Sequence, residues 1–169
     1  MNAGKAIAIG CLAVALVALM GMLVLGAFLY HVAQDPEGIA IAVDVPLDVA
    51  LDETFPLVVT VTNTREEQPV TINDVDIADE YLAGFVVVSV DPAEQSSMHI
   101  PLDNSMSYTF NTELAPGSSK AFTFNLRAQE TGIFRGEVDV TQGMQFTSAV
   151  AQTVVGEAGA QSTDESVTE

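Results

Sequence analysis

Four carboxylates within one eight-residue stretch have the residue types and the spacing of potential metal ligands. The stretch is Asn73–Glu80, and its carboxylates are Asp74, Asp76, Asp79 and Glu80. Calcium binds about six to eight oxygen atoms, which clustered carboxylates often supply. Side chains alternate along a strand, so Asp74 and Asp76 would share one face. The glycine and the distant glutamate of an EF-hand loop are missing, so the candidate is a calcium site of another kind.

The same stretch has a second interpretation as the exposed face of a strand. Val75 and Ile77 would then point inward while Asp74 and Asp76 are solvated. Charged side chains at the edge of a sheet also discourage pairing with other chains. Both interpretations remain open at this point.

Residues for nucleophilic catalysis are scarce. His99 is the only histidine besides His31, and a Ser-His-Asp arrangement would need Asp103 and a nearby serine. The chain has neither a G-x-S-x-G elbow nor a glycine-rich phosphate loop. Cys11 is the only cysteine, which excludes an intramolecular disulfide and leaves no zinc pattern. We therefore expect no enzyme, no catalytic residues and no cofactor other than the candidate calcium ion.

The charge distribution excludes nucleic acid as a partner. All 23 carboxylates follow residue 33, where they are opposed by only four cations, Arg65, Lys120, Arg127 and Arg135. Subtracting the four cations from the 23 carboxylates leaves a net charge of about −19. Nucleic-acid affinity depends on cations that neutralise phosphates, so this field repels nucleic acid and favours basic partners. Adaptation to a salt-rich habitat would produce the same acidity, and this alternative stays open.

An apolar run near the N-terminus predicts a membrane anchor. Residues 6–32 read AIAIGCLAVALVALMGMLVLGAFLYHV and contain no Asp, Glu, Lys or Arg. A helix of about 20 apolar residues crosses a ~30 Å hydrocarbon core, so this run can span a bilayer. Lys5 precedes the run, whereas Asp35 and Glu37 follow it. The positive-inside rule then places the N-terminus in the cytoplasm and the remaining chain outside the cell membrane.

The apolar run has two other interpretations. A cleaved secretory signal has an apolar region of about 7–15 residues that ends in small residues, whereas this run is longer and ends in bulky ones. A pilin-type leader would be processed near Gly4-Lys5-Ala6, although the acidic residue common early in bacterial pilin helices is missing. An uncleaved signal-anchor over residues 1–33 is the favoured interpretation.

After a linker at residues 34–38, the apolar pattern changes to period two, which indicates strands. Alternation from Ile39 to Val49 predicts the first strand, and Pro46 predicts that it lies on an edge or breaks there. A change of phase predicts a bulge at Asn73-Asp74. The apolar segment Phe85–Val90 predicts a central strand, and Pro101 predicts an edge within the less regular region 93–107.

About eight short strands at this spacing, with Pro, Gly, Asn and Asp turns, are typical of an antiparallel β-sandwich. We therefore predict an all-β, immunoglobulin-like sandwich over residues 39–155. Its core would contain six phenylalanines: Phe55, Phe85, Phe110, Phe122, Phe124 and Phe134. The segment 156–169 has no core-forming pattern, which predicts a disordered acidic tail.

Two segments of this predicted domain carry a resemblance to a known group. They read PLVVTVTNTREEQPVTI and LAPGSSKAFTFNLRAQETGIFRGEVDV. They resemble the immunoglobulin-like modules of bacterial and archaeal surface proteins, which include the adhesion-related CARDB type. In that group a V-x-N-T strand end pairs with a later L-x-P-G-x-S turn. The resemblance covers residues 38–155 and implies a surface or adhesion-type binding or spacer module without catalytic residues.

These observations predict a single-pass, membrane-anchored, extracytoplasmic module that binds a protein or has a structural role at the cell envelope. Its partners would be the lipid bilayer, through residues 6–32, and an envelope protein that the sequence does not name. The alternative is a subunit of a surface filament apparatus, similar to pilin-like or archaellum-stator proteins. Those proteins also join one N-terminal helix to a β-sandwich.

Overall fold

The computed structural model describes residues 20–25 and 38–157. Residues 20–25 are helical, and within the two described ranges no helix has both the length and the apolar character needed to cross a bilayer. The predicted anchor, residues 6–32, lies mostly outside these ranges. The predicted tail lies outside them from residue 158 onward.

Residues 38–157 fold into ten strands and one short helix. The strands are β1 (Ile39–Asp44), β2 (Asp48–Ala50), β3 (Thr54–Asn63), β4 (Val70–Ala78), β5 (Phe85–Asp91), β6 (Ser96–Ile100), β7 (Ser105–Leu114), β8 (Ser119–Ala128), β9 (Gly132–Gln142) and β10 (Gln145–Gly156). The helix α1 spans Asp79–Leu82 between β4 and β5.

The strands form two sheets that enclose the core. The four-stranded sheet has the order β1-β3-β8-β5, and the six-stranded sheet has the order β2-β10-β9-β4-β7-β6. Every pair is antiparallel except β2 and β10, which run parallel. The period-two pattern places alternate residues of each strand between the sheets. The predicted all-β sandwich is thereby confirmed for the described residues.

Pro46 lies where the chain passes from one sheet to the other. β1 ends at Asp44 and pairs with β3, whereas β2 begins at Asp48 and pairs with β10. Proline cannot donate a hydrogen bond to a strand ladder, so the alternating run from Ile39 to Val49 divides at this point. Both resulting strands lie at sheet edges, as the sequence predicted.

The core contains two groups of aromatic rings. At one end Phe85 contacts Phe55, Tyr81 and Phe134, with ring centroids 5.0–5.2 Å apart. The second group consists of Tyr108, Phe110, Phe122 and Phe124. Five of the six predicted phenylalanines are buried and Phe134 is half-buried against them. The two buried tyrosines were not among the predicted core residues.

The bulge predicted at Asn73-Asp74 is confirmed, because the pairing of β4 with β7 shifts between Ile72 and Asp74. The prediction that Phe85–Val90 is a central strand was wrong. β5 pairs only with β8 and forms an edge of the four-stranded sheet, so Val86 and Val88 are exposed. An apolar run resembles a central strand, but α1 redirects the chain across the sandwich to an edge position.

Asn63 joins the end of β3 to the turn between β7 and β8. Its side-chain amide donates hydrogen bonds to the carbonyls of Leu114 and Gln68, at 3.0 and 2.9 Å. Its Oδ1 accepts a bond from the Arg65 N–H, and its backbone carbonyl accepts one from the Gly117 N–H. This is the pairing of the V-x-N-T strand end with the L-x-P-G-x-S turn that the resemblance implied.

Helix α1 packs closely on β9 because position 136 has no side chain. A Cβ atom at Gly136 would lie 2.9 Å from Cβ of both Ala78 and Tyr81. The buried Thr153 hydroxyl donates to the carbonyl of Pro46 at 3.0 Å, so the Tyr81 hydroxyl must donate to Thr153, at 3.1 Å. This chain of bonds links α1, β10 and the crossover between β1 and β2.

Candidate functional site

The outer face of the six-stranded sheet carries a row of polar side chains with two aspartates at its centre. Pairing places Asp76 of β4 opposite Asp139 of β9 on one side and opposite Ser107 of β7 on the other. Asp139 in turn lies opposite Ser148 of β10. We call these four residues, Ser107, Asp76, Asp139 and Ser148, the acidic row.

The acidic row borders a hollow of about 380 Å³ in the surface. Phe146 and Glu137 line the hollow together with Asp76 and Asp139. A second hollow of about 340 Å³ adjoins it and shares Glu137 and Asp103 as lining residues. The first hollow therefore combines an aromatic wall with several carboxylates, which suits the positively charged and partly apolar side chains of lysine and arginine.

Burial disfavours the charged forms of the two central carboxyls. Desolvation raises the pKa of Asp76 above its ordinary value of 3.8, and the nearby Asp74 and Asp139 raise the pKa further. Desolvation also raises the pKa of Asp139, with contributions from Glu137 and Asp103. Hydrogen bonds from Ser107 and Thr141 to Asp76, and from Ser148 to Asp139, lower the pKa values but only in part.

One oxygen of each central aspartate has no hydrogen-bond donor. The Oδ1 atoms of Asp76 and Asp139 are shielded from solvent and accept no bond from the described part of the chain. Like charges directly opposite one another on adjacent strands are destabilising, and unsatisfied buried acceptors are too. This local arrangement lowers the stability of the folded domain.

The structure divides the predicted calcium ligands among different surroundings. Asp74 and Asp76 share the outer face of β4, and Asp74 accepts a 2.7 Å hydrogen bond from Thr109. Asp79 begins α1 and pairs with His99, while Glu80 lines the smaller hollow. Within residues 20–25 and 38–157, no three acidic, histidine or cysteine side chains are grouped as metal ligands. The calcium site therefore stays a prediction carried by the sequence.

His99 contacts a different carboxylate from the one that the sequence suggested. Its Nε2 atom lies 2.6 Å from Oδ2 of Asp79, and half of its side chain is exposed. The contact joins β6 to the start of α1, whereas Asp103 lines the two hollows.

The two carboxylates of β9, Glu137 and Asp139, were not among the predicted site residues. Alternation with Val138 and Val140 was sufficient to place Glu137 and Asp139 on the outward face of a strand. The pairing of β4 with β9 spans more than 60 residues of chain, and it brings Asp76 and Asp139 together. No local pattern in the sequence predicts that register.

The sequence and the fold were compared with those of known proteins. No protein-family model matches this sequence. No curated protein matches it either.

Several solved structures overlap with the domain. E. coli alpha-2-macroglobulin in its native conformation overlaps with a TM-score of 0.50 at 17% identity, over 73% of this chain and only 7% of that one. A cohesin module of a Clostridium perfringens family 33 glycoside hydrolase also gives 0.50, at 10% identity over 72% of this chain and 98% of the module. A CARDB domain from Pyrococcus furiosus, solved in complex with di-metal ions, gives 0.46 at 14% identity, over 73% and 93%.

These likenesses concern the fold. The domain is a β-sandwich whose fold is similar to that of the cohesin module. A fold of this kind supports many unrelated functions, so function has to be argued from the surface of this particular chain.

The raised pKa values of the acidic row lead to a prediction about stability and pH. Between the ordinary pKa of 3.8 and the raised value, the folded domain binds more protons than the unfolded chain. The free energy of unfolding therefore decreases as the pH rises through this window. We expect Asp76→Asn and Asp139→Asn each to raise the free energy of unfolding at pH 7 by on the order of 1 kcal/mol. Urea unfolding at a series of pH values measures the effect.

Asp44→Asn is the matched control for this prediction, because Asp44 is exposed on β1 and the substitution removes the same charge. It corrects for the general repulsion among the 23 carboxylates. The row variants should lose less stability than the control between about pH 4 and pH 7. Identical profiles for Asp76→Asn and Asp44→Asn would contradict the prediction.

Proposed function

We propose that this chain is a non-enzymatic binding module of the cell envelope, with one N-terminal membrane anchor and an extracytoplasmic β-sandwich. The anchor rests on the uncharged apolar run of residues 6–32, and the orientation rests on Lys5, Asp35 and Glu37. The binding role rests on the acidic row and the hollow beside it.

The arrangement of Asp76 and Asp139 is the observation that supports binding. Two partly buried carboxylates face each other, and each has an oxygen without a donor. Proteins keep such destabilising arrangements mainly where function requires them. The positive charge of a lysine or arginine from a basic segment of a partner, placed in the hollow that these two aspartates line, would offset the repulsion between the two carboxylates. Phe146 would contact the aliphatic part of that side chain or its charged head.

Photo-crosslinking in native membranes tests this role. A photoreactive phenylalanine analogue at position 146 should produce a discrete adduct with an envelope protein. The adduct should weaken as salt is raised, because salt screens the attraction between charges. The same analogue at position 133 is the positional control, because Ile133 is exposed on β9 at a distance along the strand from the hollow.

Matched charge variants make the crosslinking result specific. Asp76→Asn/Asp139→Asn should abolish the adduct from position 146. Asp44→Asn/Asp48→Asn removes the same charge from the exposed residues of β1 and β2 and should leave the adduct unchanged. An adduct that survives neutralisation of the row, or that is lost equally in both double variants, would refute binding at this site.

The membrane anchor is tested separately by the mass of the mature protein and by protease access. An intact N-terminus in alkali-washed membranes, with the sandwich cleaved only from outside the cell, is the expected result. Loss of the first five or six residues would favour the alternative of a filament subunit. Recovery of a mature form that lacks the apolar run and is free in solution would contradict the anchor.

A further inference from the structure

Three charged side chains point outward from β9 in a fixed order, two negative and then one positive. They belong to Asp139, Glu137 and Arg135, which occupy successive outward positions of the strand. Alternate residues of a strand are about 6.8 Å apart, so the three charges extend over about 14 Å. We call these three residues the charge series.

The neighbours of the charge series leave its positive end without a counter-charge. On β10, the residues opposite the series are uncharged: Ser148, Val150 and Gln152. Within residues 20–25 and 38–157, Arg135 forms no ion pair, although Glu80 and Asp103 line the same hollow. The series therefore presents carboxylates to a partner at one end and a guanidinium at the other.

The two hollows connect the ends of the charge series. Asp139 and Phe146 line the larger hollow, Arg135 and Val150 line the smaller one, and Glu137 lines both. A segment that lies along β9 would pass from one hollow into the other over Glu137. The side chains on one face of an extended segment are also about 6.8 Å apart, so three of them can match the three charges.

We propose that the basic segment bound at the acidic row continues into the smaller hollow, where an acidic side chain of the same segment pairs with Arg135. The side chains that face β9 would then read basic, basic, acidic. This inference rests on the proposed binding role and adds the charge order of the partner. Arginine suits the contact because its guanidinium can hold a carboxylate by two parallel hydrogen bonds.

Arg135 would thereby set the register of the partner. A shift by one facing position would place the acidic side chain over Glu137 or a basic one over Arg135, and both contacts are repulsive. The net charge of −18 attracts basic segments of any pattern. Arg135 would select among them against a segment that is basic throughout.

Arg135→Glu tests the proposal because the two kinds of basic partner predict opposite results. A partner that is basic throughout would bind this variant more tightly, since the variant adds negative charge. We expect instead that the adduct from the photoreactive analogue at position 146 decreases at least about threefold in native membranes. Arg127→Glu is the matched control, because it makes the same charge change on the exposed face of the other sheet. It should not weaken the adduct.

Synthetic peptides with blocked ends test the charge order on the full chain in detergent. Lys-Ser-Lys-Ser-Glu and Lys-Ser-Glu-Ser-Lys have the same composition and net charge, so the long-range field attracts them equally. We expect the first peptide to bind the wild-type chain about three- to tenfold more tightly in a nuclear magnetic resonance titration. Arg135→Glu should abolish this preference. Lys-Ser-Lys-Ser-Lys should bind Arg135→Glu more tightly than it binds the wild type.

The outcomes separate this inference from the binding role on which it rests. An adduct that strengthens in Arg135→Glu, but is still lost in Asp76→Asn/Asp139→Asn, would overturn the charge order and leave the binding role intact. Equal affinities of the two peptide isomers, or equal weakening of the adduct in Arg135→Glu and Arg127→Glu, would do the same. An adduct formed within the chain itself or with a second copy, or no adduct at all, would refute the binding role and this inference with it.

Discussion

Replacing Asn63 by alanine is expected to lower the free energy of unfolding by about 3 kcal/mol, because several buried hydrogen bonds are lost together. The side chain of Asn63 is fully buried. Its removal leaves the carbonyls of Leu114 and Gln68 without these donors and removes an acceptor from the Arg65 N–H. A buried polar group without a partner costs about 1–3 kcal/mol, and adjacent losses do not simply add.

Asn63→Asp distinguishes the role of the two donors from a loss of volume. Aspartate has nearly the same shape and still accepts the bond from the Arg65 N–H, but it would direct a carboxylate toward two carbonyl oxygens. We expect a loss of stability at neutral pH at least as large as that of the alanine variant, because an unpaired charge would be buried.

Urea unfolding followed by far-ultraviolet circular dichroism measures both Asn63 variants, since the chain has no tryptophan to serve as a fluorescent probe. Asn125→Ala is the matched control. Its amide donates one hydrogen bond, to Ser89, on the exposed face of the four-stranded sheet. We expect a change of about 0.5 kcal/mol for that variant. Equal losses of stability at positions 63 and 125 would show that the buried hydrogen bonds of Asn63 contribute no more to the free energy of unfolding than one exposed hydrogen bond does.

Gly136→Val is the second change with a large expected effect, a loss of about 3 kcal/mol. The first added carbon would lie 2.9 Å from two Cβ atoms and 3.0 Å from the backbone nitrogen of Tyr81. A backbone atom cannot move aside as the end of a flexible side chain can. α1 would have to shift, which would disturb the bond from Tyr81 to Thr153 and the contact of Tyr81 with Phe85.

Gly156→Val is the control for this substitution. Gly156 also lies in a strand of the six-stranded sheet, and an added Cβ would meet no atom within 4 Å. Valine is preferred in strands over glycine, so the control should be neutral or slightly stabilising. Thermal unfolding compares the two variants, and hydrogen exchange at α1 localises the change. A Gly136→Val domain as stable as the control would mean that α1 adapts without loss of packing.

Most individual strands could be predicted from the sequence because a half-buried strand imposes a period of two on its own residues. The break at Pro46 and the bulge at Asn73-Asp74 are also local, since one depends on a missing donor and the other on a change of phase. The position of β5 was predicted wrongly because an apolar run does not indicate how many neighbours a strand has. That number depends on where α1 directs the chain.

The candidate site depended on tertiary structure to a greater extent. Asp74 and Asp76 were identified because they are close together in the sequence, and Asp79 and Glu80 were grouped with them for the same reason. α1 turns Asp79 toward His99 instead. Asp139 entered the site through the pairing of β4 with β9, a contact between distant parts of the chain.

The sequence by itself determined the strand-forming segments, their turns, the acidity of the domain and the uncharged apolar run before it. Each of these features depends on residues that are close together in the sequence, because solvation and backbone geometry act locally. Only the tertiary structure decided which strands pair, and therefore that two aspartates face each other. Register and strand order depend on how the whole core packs between two sheets, and no single segment contains that information.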